Sequence, residues 1–345
     1  MKMNLPDLIV EVCKESHVPM AQAVFGDAGL KAIFAVMDAV KALYVQVEPE
    51  RVTGRVVIFQ RVSAGTPAAG AISDFALLVN QTLNDLVFEV GSDSRIHISS
   101  VEETLEKLAK NAVVYHYTKG SEEFLAGPER KPVMRLDLSA ESQFAVPTLS
   151  TLRDALRLYE VESVRESTCY TFEHVWKASN RIFFVAGPEE WMRRSLTQFL
   201  RNRIGGENDV FPEQNVNEKN PVDIRVTPRF SNNRLMLIEI KWLGDSLADD
   251  GHITVSHRDA RAQEGADQLA KYLDEQTRFA PRRITHGYYV IIDGRRAKLH
   301  PAMSSISYKD GLHFETIDIK FNPAPHLTRP DFDPPCRMFA RPVCH

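Results

Sequence analysis

Two apolar runs with a short polar break between them constrain this chain more than any other feature of its sequence. Pro221-Val-Asp223-Ile-Arg-Val is followed, after Ser231-Asn232-Asn233, by Leu235-Met-Leu-Ile-Glu239-Ile-Lys241-Trp242. Apolar runs split by turn-forming residues predict a β-hairpin. Glu239 and Lys241 stand two apart, so as strand residues their side chains leave the same face. Asp223 lies on the partner run, where a hairpin sets it opposite Glu239. Uncompensated burial of charge is costly, so close carboxylates share a proton or bind a cation. Two carboxylates and a nearby backbone carbonyl, that of residue 240, make an oxygen site suited to Mg²⁺, which keeps several of its waters. Lys241 is then placed to orient or deprotonate a water and to offset charge on a phosphoryl oxygen.

This Asp, spacer, Glu-x-Lys pattern resembles the PD-(D/E)xK nuclease superfamily, whose members share a restriction-endonuclease-like fold. The resemblance covers residues 187–295 or so and says nothing of the first half of the chain. The flanks strengthen it. Pro188 opens a helix at the position where proline is best tolerated, with Met192, Leu196, Phe199 and Leu200 as its apolar stripe. Glu189 shares that face on helical spacing and Glu190 does not. The resemblance implies a carboxylate on this first core helix that approaches the metal site; Glu189 is the first choice and Glu190 the second. The plainer alternative is that both acids favour the positive end of the helix dipole.

Downstream, a helix expected over about Asp259–Gln276 carries Gln268-Leu-Ala-Lys-Tyr272. Gln268 and Tyr272 are i and i+4 and lie one above the other. The pair resembles the QxxxY motif of the RecB-like branch of the superfamily, which implies a place close to the catalytic centre and the nucleic-acid backbone. Both are neutral hydrogen-bond groups, able to hold a water or phosphate without adding charge. The alternative is a routine helix with Leu269, Tyr272 and Leu273 packed inward. Gly287-Tyr-Tyr-Val-Ile-Ile-Asp293 is nearly all apolar and suits a central strand beside Glu-x-Lys.

The remainder is less informative. At 345 residues, 43% hydrophobic and 26% charged, the chain has the composition of a soluble globular protein with room for two domains. No stretch approaches a membrane span and the first residues open no signal peptide, so a cytoplasmic location is expected. The four cysteines, at 13, 169, 336 and 344, lack zinc-type spacing and read as reduced thiols. The net charge of −4 divides into −5 over residues 1–184 and +1 over residues 185–345; the second half carries local arginine clusters, Arg193, Arg194, Arg201 and Arg203 among them, that are candidate phosphate contacts. Residues 5–47 read as mainly helical, and 72–87 as a helix on a 3.6 period. Ser100 with Glu103 forms a candidate capping box. Strands are expected at 56–62, 112–117, 133–138, 181–185 and 210–216, and a helix through Leu152, Ala155, Leu156 and Tyr159. Residues 244–258 read as a polar loop, and 314–321 as an added edge strand.

The fold expected is α/β (α+β overall): a restriction-endonuclease-like core with a central mixed sheet flanked by helices, preceded by a separate mixed α+β N-terminal domain. The boundaries expected are 1–184 for a domain of sensing, oligomerisation or partner contact, 185–322 for the nuclease-like domain, and 323–345 for a Pro-rich extended tail. The function implied is a Mg²⁺-dependent nuclease (Mn²⁺ as substitute) acting on nucleic acid, with double-stranded DNA as expected substrate. Asp223 and Glu239 would bind the metal, Lys241 position the water, Gln268 and Tyr272 support the scissile phosphate, and Glu189 complete the acidic shell. By analogy the protein would be a homo-oligomer without membrane contact, and an effector of a restriction or anti-phage system. The rival reading is a nucleic-acid-binding or scaffolding subunit whose cleavage is weak or partner-dependent.

Overall fold

The computed structural model describes all residues except 1–4, 50–51, 64–70, 73–74, 76–83, 100–102, 120, 137–140, 146–147, 218–219, 230–233 and 282. The chain forms two compact units, Met1–Ser150 and Thr151–His345. The division therefore falls earlier than the expected 184. The cause is local: the short strand before residue 186 pairs within the second sheet and ties its neighbours to that unit.

The first unit begins with α1, Leu5–Gln46, a helical stretch interrupted at Gly26, which sits at φ 60 where a side chain would be strained. A seven-stranded mixed sheet follows, built from β1 (Arg55–Arg61), β2 (Ala71–Ile72), β3 (Leu86–Val90), β4 (Ile96–Ile98), β5 (Ala112–Thr118), β6 (Ser121–Ala126) and β7 (Glu129–Pro132) in the order β2-β4-β3-β1-β5-β6-β7. Alternation along β1 explains the layers. Val56 and Ile58 pack with Ile33, Met37 and Tyr44 of α1. Val57 and Phe59 pack with Leu108 of α2, Leu105–Ala109, on the other face. The helix read over 72–87 is corrected at its described ends, which are strand residues of β2 and β3; most of the stretch between, and the expected cap Ser100, lie outside the described residues. Thr104 caps α2 instead. Of the strand expected at 133–138, the described residues 133–136 form none, β7 ending at Pro132; 137–138 lie outside the described residues.

The second unit opens within α3 (Leu149–Tyr159) and continues through a π-helical turn, α4 (Tyr170–Glu173), β8 (Phe184–Val185), α5 (Glu189–Ile204), β9 (Asn208–Asn217), β10 (Asn220–Pro228), β11 (Arg234–Leu247), β12 (Ile253–His257), α6 (Asp259–Phe279), β13 (Ile284–Asp293), α7 (Tyr308–Gly311), α8 (Pro325–Thr328) and β14 (Cys336–Phe339). Its mixed sheet runs β14-β13-β11-β10-β9, with β12 and β8 paired to β11. β11 and β13 are buried along their whole length, in keeping with their largely apolar sequences. The parallel pair β11 and β13 is joined through α6, whose Ala262, Ala266, Leu269, Tyr272 and Leu273 pack on Leu235, Leu237, Tyr289 and Ile291.

Two expectations are corrected here. Residues 244–258 are not a polar loop: β11 runs on to Leu247 and pairs antiparallel with β12. The added edge strand is not 314–321 but β14, from the segment read as an extended tail, paired parallel to β13. All four cysteines are free thiols. Among the described residues, no helix is long and apolar enough to cross a membrane.

One charged cluster fixes the end of β13. Asp293 is fully buried and accepts from Arg295 Nε at 3.0 Å and Nη2 at 2.8 Å, and from Arg337 Nε of β14 at 2.8 Å. Removing one partner of a buried ionic cluster leaves uncompensated charge, at a cost of about 3–5 kcal/mol. Asp293→Ala is accordingly expected to lower the stability of the protein by about that amount in urea denaturation.

Candidate active site

β10 and β11 pair antiparallel through Ile224↔Ile238, Arg225↔Leu237 and Val226↔Met236. One further step along this register brings Asp223 across from Glu239. There a side chain replaces the ladder: Asp223 Oδ2 accepts from the Ile240 N–H at 2.8 Å, so the carboxylate is fixed by the backbone beside Glu239. Its other oxygen lies 3.4 Å from Arg193 Nη1 of α5.

Glu239 is 1% exposed at its side chain and Lys241 8%. The Lys241 ammonium donates to Glu239 Oε1. Glu239 Oε2 is buried and has no hydrogen-bond partner. Buried carboxylate oxygens are seldom left so, because desolvation is then uncompensated. Burial, first, and the facing Asp223, second, push the Glu239 carboxyl up from 4.5 to about 8, against the pull of Lys241. Burial also raises Asp223; the Ile240 amide, Lys241 and Arg193 oppose that rise, and Glu189 adds to it. The two acids are thus short of positive charge.

The structure sorts the helix carboxylates. Glu189 acts electrostatically on both Asp223 and Glu239, yet its Oε1 is 3.3 Å from Arg261 Nη2 of α6, and its side chain is 45% exposed. Glu190 is more exposed still and pairs with Arg194 at 3.5 Å. Gln268 donates to the Tyr272 hydroxyl. Tyr272 is buried; burial first, then the charges of Glu239 and Asp223, push its hydroxyl up to about 12 and keep it neutral. Tyr272 thus fulfils the inward-packing reading and also stands close enough to both acids to feel them.

Sequence reasoning missed four contributors. Arg193, named only as part of an arginine cluster, binds Asp223; its position four after Glu189 puts the two on one helix face. Arg261 binds Glu189. Tyr289 lies beside Glu239 in the β11–β13 register and donates to the Ala262 carbonyl at 2.8 Å, tying the start of α6 to the sheet. Gly265 lets α6 approach: a Cβ there would stand 2.4 Å from the Tyr289 hydroxyl oxygen and 2.5 Å from Lys241 Cγ. A glycine inside a helix is the signal that could have revealed it.

Among the described residues, no three of His, Cys, Asp and Glu are grouped as ligands for one metal ion. Asp223 and Glu239 form a two-carboxylate set with one orphaned oxygen, which fits a hard cation that keeps most of its waters. Comparison with protein-family models, curated proteins and solved structures finds no match to this chain.

Two outcomes are expected. Gly265→Ala overpacks the α6–β11 contact and should cost about 1–3 kcal/mol in denaturant unfolding. The pH dependence follows from Glu239. A carboxyl whose folded pKa lies above its unfolded value stabilises the fold fully below 4.5, and that contribution is lost as pH rises towards about 8. Urea midpoints taken from about pH 5 to about pH 8 should therefore fall more steeply in the wild type than in Glu239→Gln.

Proposed function

We propose that the second unit is a metal-dependent nuclease of the PD-(D/E)xK kind, built on a restriction-endonuclease-like core, and that it hydrolyses phosphodiester bonds in DNA. The observation that supports this most is the state of Glu239: one oxygen bound to Lys241, the other buried without a partner, and Asp223 set across from it. A structural ion pair gains nothing from an orphaned oxygen or a second acid beside it. A divalent cation satisfies both.

Mg²⁺, with Mn²⁺ as substitute, is the cation the oxygen set suits. Asp223 and Glu239 would hold it, and it would supply Lewis-acid stabilisation of the phosphoryl oxygens. The rest belongs to the chain. The Ile240 amide and Arg193 orient Asp223. Lys241 is held by Glu239 and by the close approach of Gly265, so its ammonium is fixed beside the acids, where it orients the attacking water and offsets charge developing on the phosphate. The water oxygen gives up a proton and forms the new P–O bond in line as the P–O3′ bond breaks, and the departing 3′ oxygen takes up a proton. Gln268 and Tyr272 add neutral donors close to the same centre.

A second reading has its own observation. Because no three-residue metal-ligating group occurs among the described residues, a nucleic-acid-binding subunit with weak or partner-dependent cleavage also accounts for the site. Incubation with circular and linear DNA and with RNA, with and without Mg²⁺, separates the two. Cleavage that needs the metal and drops by about 10²-fold or more in Lys241→Ala is expected for the nuclease. Binding without cleavage, unchanged in Asp223→Ala, would establish the second reading.

A further inference from the structure

α5 carries a cleft of ≈ 850 Å³ lined by Trp191, Arg193, Arg194, Thr197, Gln198 and Arg201, among others. Three arginines and a single acid, Glu190, are among its lining. Arg193 belongs both to this lining and to the site, being the residue that contacts Asp223. The cleft thus shares Arg193 with the site, while Asp223, Glu239 and Lys241 are not in its lining.

Its aromatic content is unusual for a charged surface. Trp191 is half-buried. His174 is stacked on its ring at 4.5 Å and 24°, and the Arg194 guanidinium lies over it at 5.3 Å. Tyr170 of α4 meets His174 edge-on at 4.9 Å and is 77% exposed. Arg194 is held otherwise only by an exposed pair with Glu190 at 3.5 Å, a contact of little worth in water. Its guanidinium can exchange the indole for a phosphate. Thr197, 4% exposed, carries a hydroxyl with no hydrogen-bond partner. Cationic side chains along a groove with aromatic rings among them are the chemistry of single-stranded nucleic acid: arginines take phosphates, rings take unstacked bases. A duplex keeps its bases stacked and offers nothing to Trp191 or Tyr170.

We propose that this cleft binds a single-stranded stretch of nucleic acid, with Arg193, Arg194 and Arg201 on the backbone and Trp191 and Tyr170 on bases, and delivers that strand to the acids. Its direction towards a scissile phosphate rests on the nuclease reading; its binding does not.

The protein carries its own probe. Trp176 and Trp242 are 7% and 3% exposed, which leaves Trp191 as the tryptophan a ligand can reach. Full-length protein in EDTA, where metal-dependent cleavage is absent, is titrated with oligo-dT, oligo-rU, a duplex of equal length, and heparin. The fluorescence of Trp191 and the anisotropy of a label on each nucleic acid are followed. Either single strand is expected to quench the emission and to bind more tightly than the duplex. Trp191→Ala should weaken binding about tenfold, as loss of one stacked base does. Trp191→Phe should keep binding and lose the quench. Tyr170→Ala, at a side chain outside the core, should weaken binding without affecting folding. Arg194→Ala with Arg201→Ala should reduce the salt dependence. Duplex binding as tight as single-strand binding, an equal quench by heparin, no binding at all, or unchanged affinity in Trp191→Ala and Tyr170→Ala overturns the proposal. None of these results depends on cleavage, so failure here and failure of the nuclease reading remain separate.

Discussion

An acid and an amine two residues apart on a buried strand set the terms for the whole second unit. Glu239 and Lys241 satisfy each other only in part, and the cost of the remainder falls on their surroundings. Buried charge is tolerated where further partners converge on it. Here these are a backbone amide that fixes the neighbouring acid, an arginine from α5, and a helix drawn close enough to pin the lysine stem. The Asp223 carboxylate takes the Ile240 amide where the β10–β11 ladder gives way, so the irregularity of the sheet and the chemistry of the site are one feature.

The scaffold around that pair divides its labour. β13 supplies both a wall and a tether, since Tyr289 faces Glu239 and also binds the first turn of α6. At the far end of β13, Asp293 gathers Arg295 and Arg337 and so fastens β14 to the sheet. α5 serves two sides: one of its faces offers Glu189 and Arg193 to the centre, and the neighbouring surface offers arginine and tryptophan to solvent.

How much of this the sequence disclosed follows from the kind of signal each part leaves. β11 and β13 were legible because strands buried on both faces are nearly continuous apolar runs. α6 was legible because its apolar residues keep helical spacing over five turns. The Asp223–Glu239 pairing followed from hairpin logic; i, i+4 spacing set Tyr272 beside Gln268, and only the QxxxY resemblance implied its place near the acids. β12, Ile253-Thr-Val-Ser-His257, was read as loop because almost all of it is exposed and it carries no burial pattern. β14 is four residues with an arginine among them, set in a Pro-rich segment, and gives no periodic signal at all. Leu86 and Val87 fit a helical stripe and a strand equally well; the parallel pairing with β1, a long-range contact, decided for strand. Arg193 and Gly265 work through distances between elements, which no spacing within one element records.

The length of β11 has a consequence of its own. Fourteen residues long, it takes part in four ladders: its first part runs between β10 and β13, and its last part lies against β12 and β8. Sliding a strand by one residue turns every side chain to the other side of its sheet. For β11 that slip would have to occur in both pairs of ladders at once, against neighbours that share no other strand. The alignment of the acid and the amine is thereby locked from two directions, and loosening one end of the strand does not free the other.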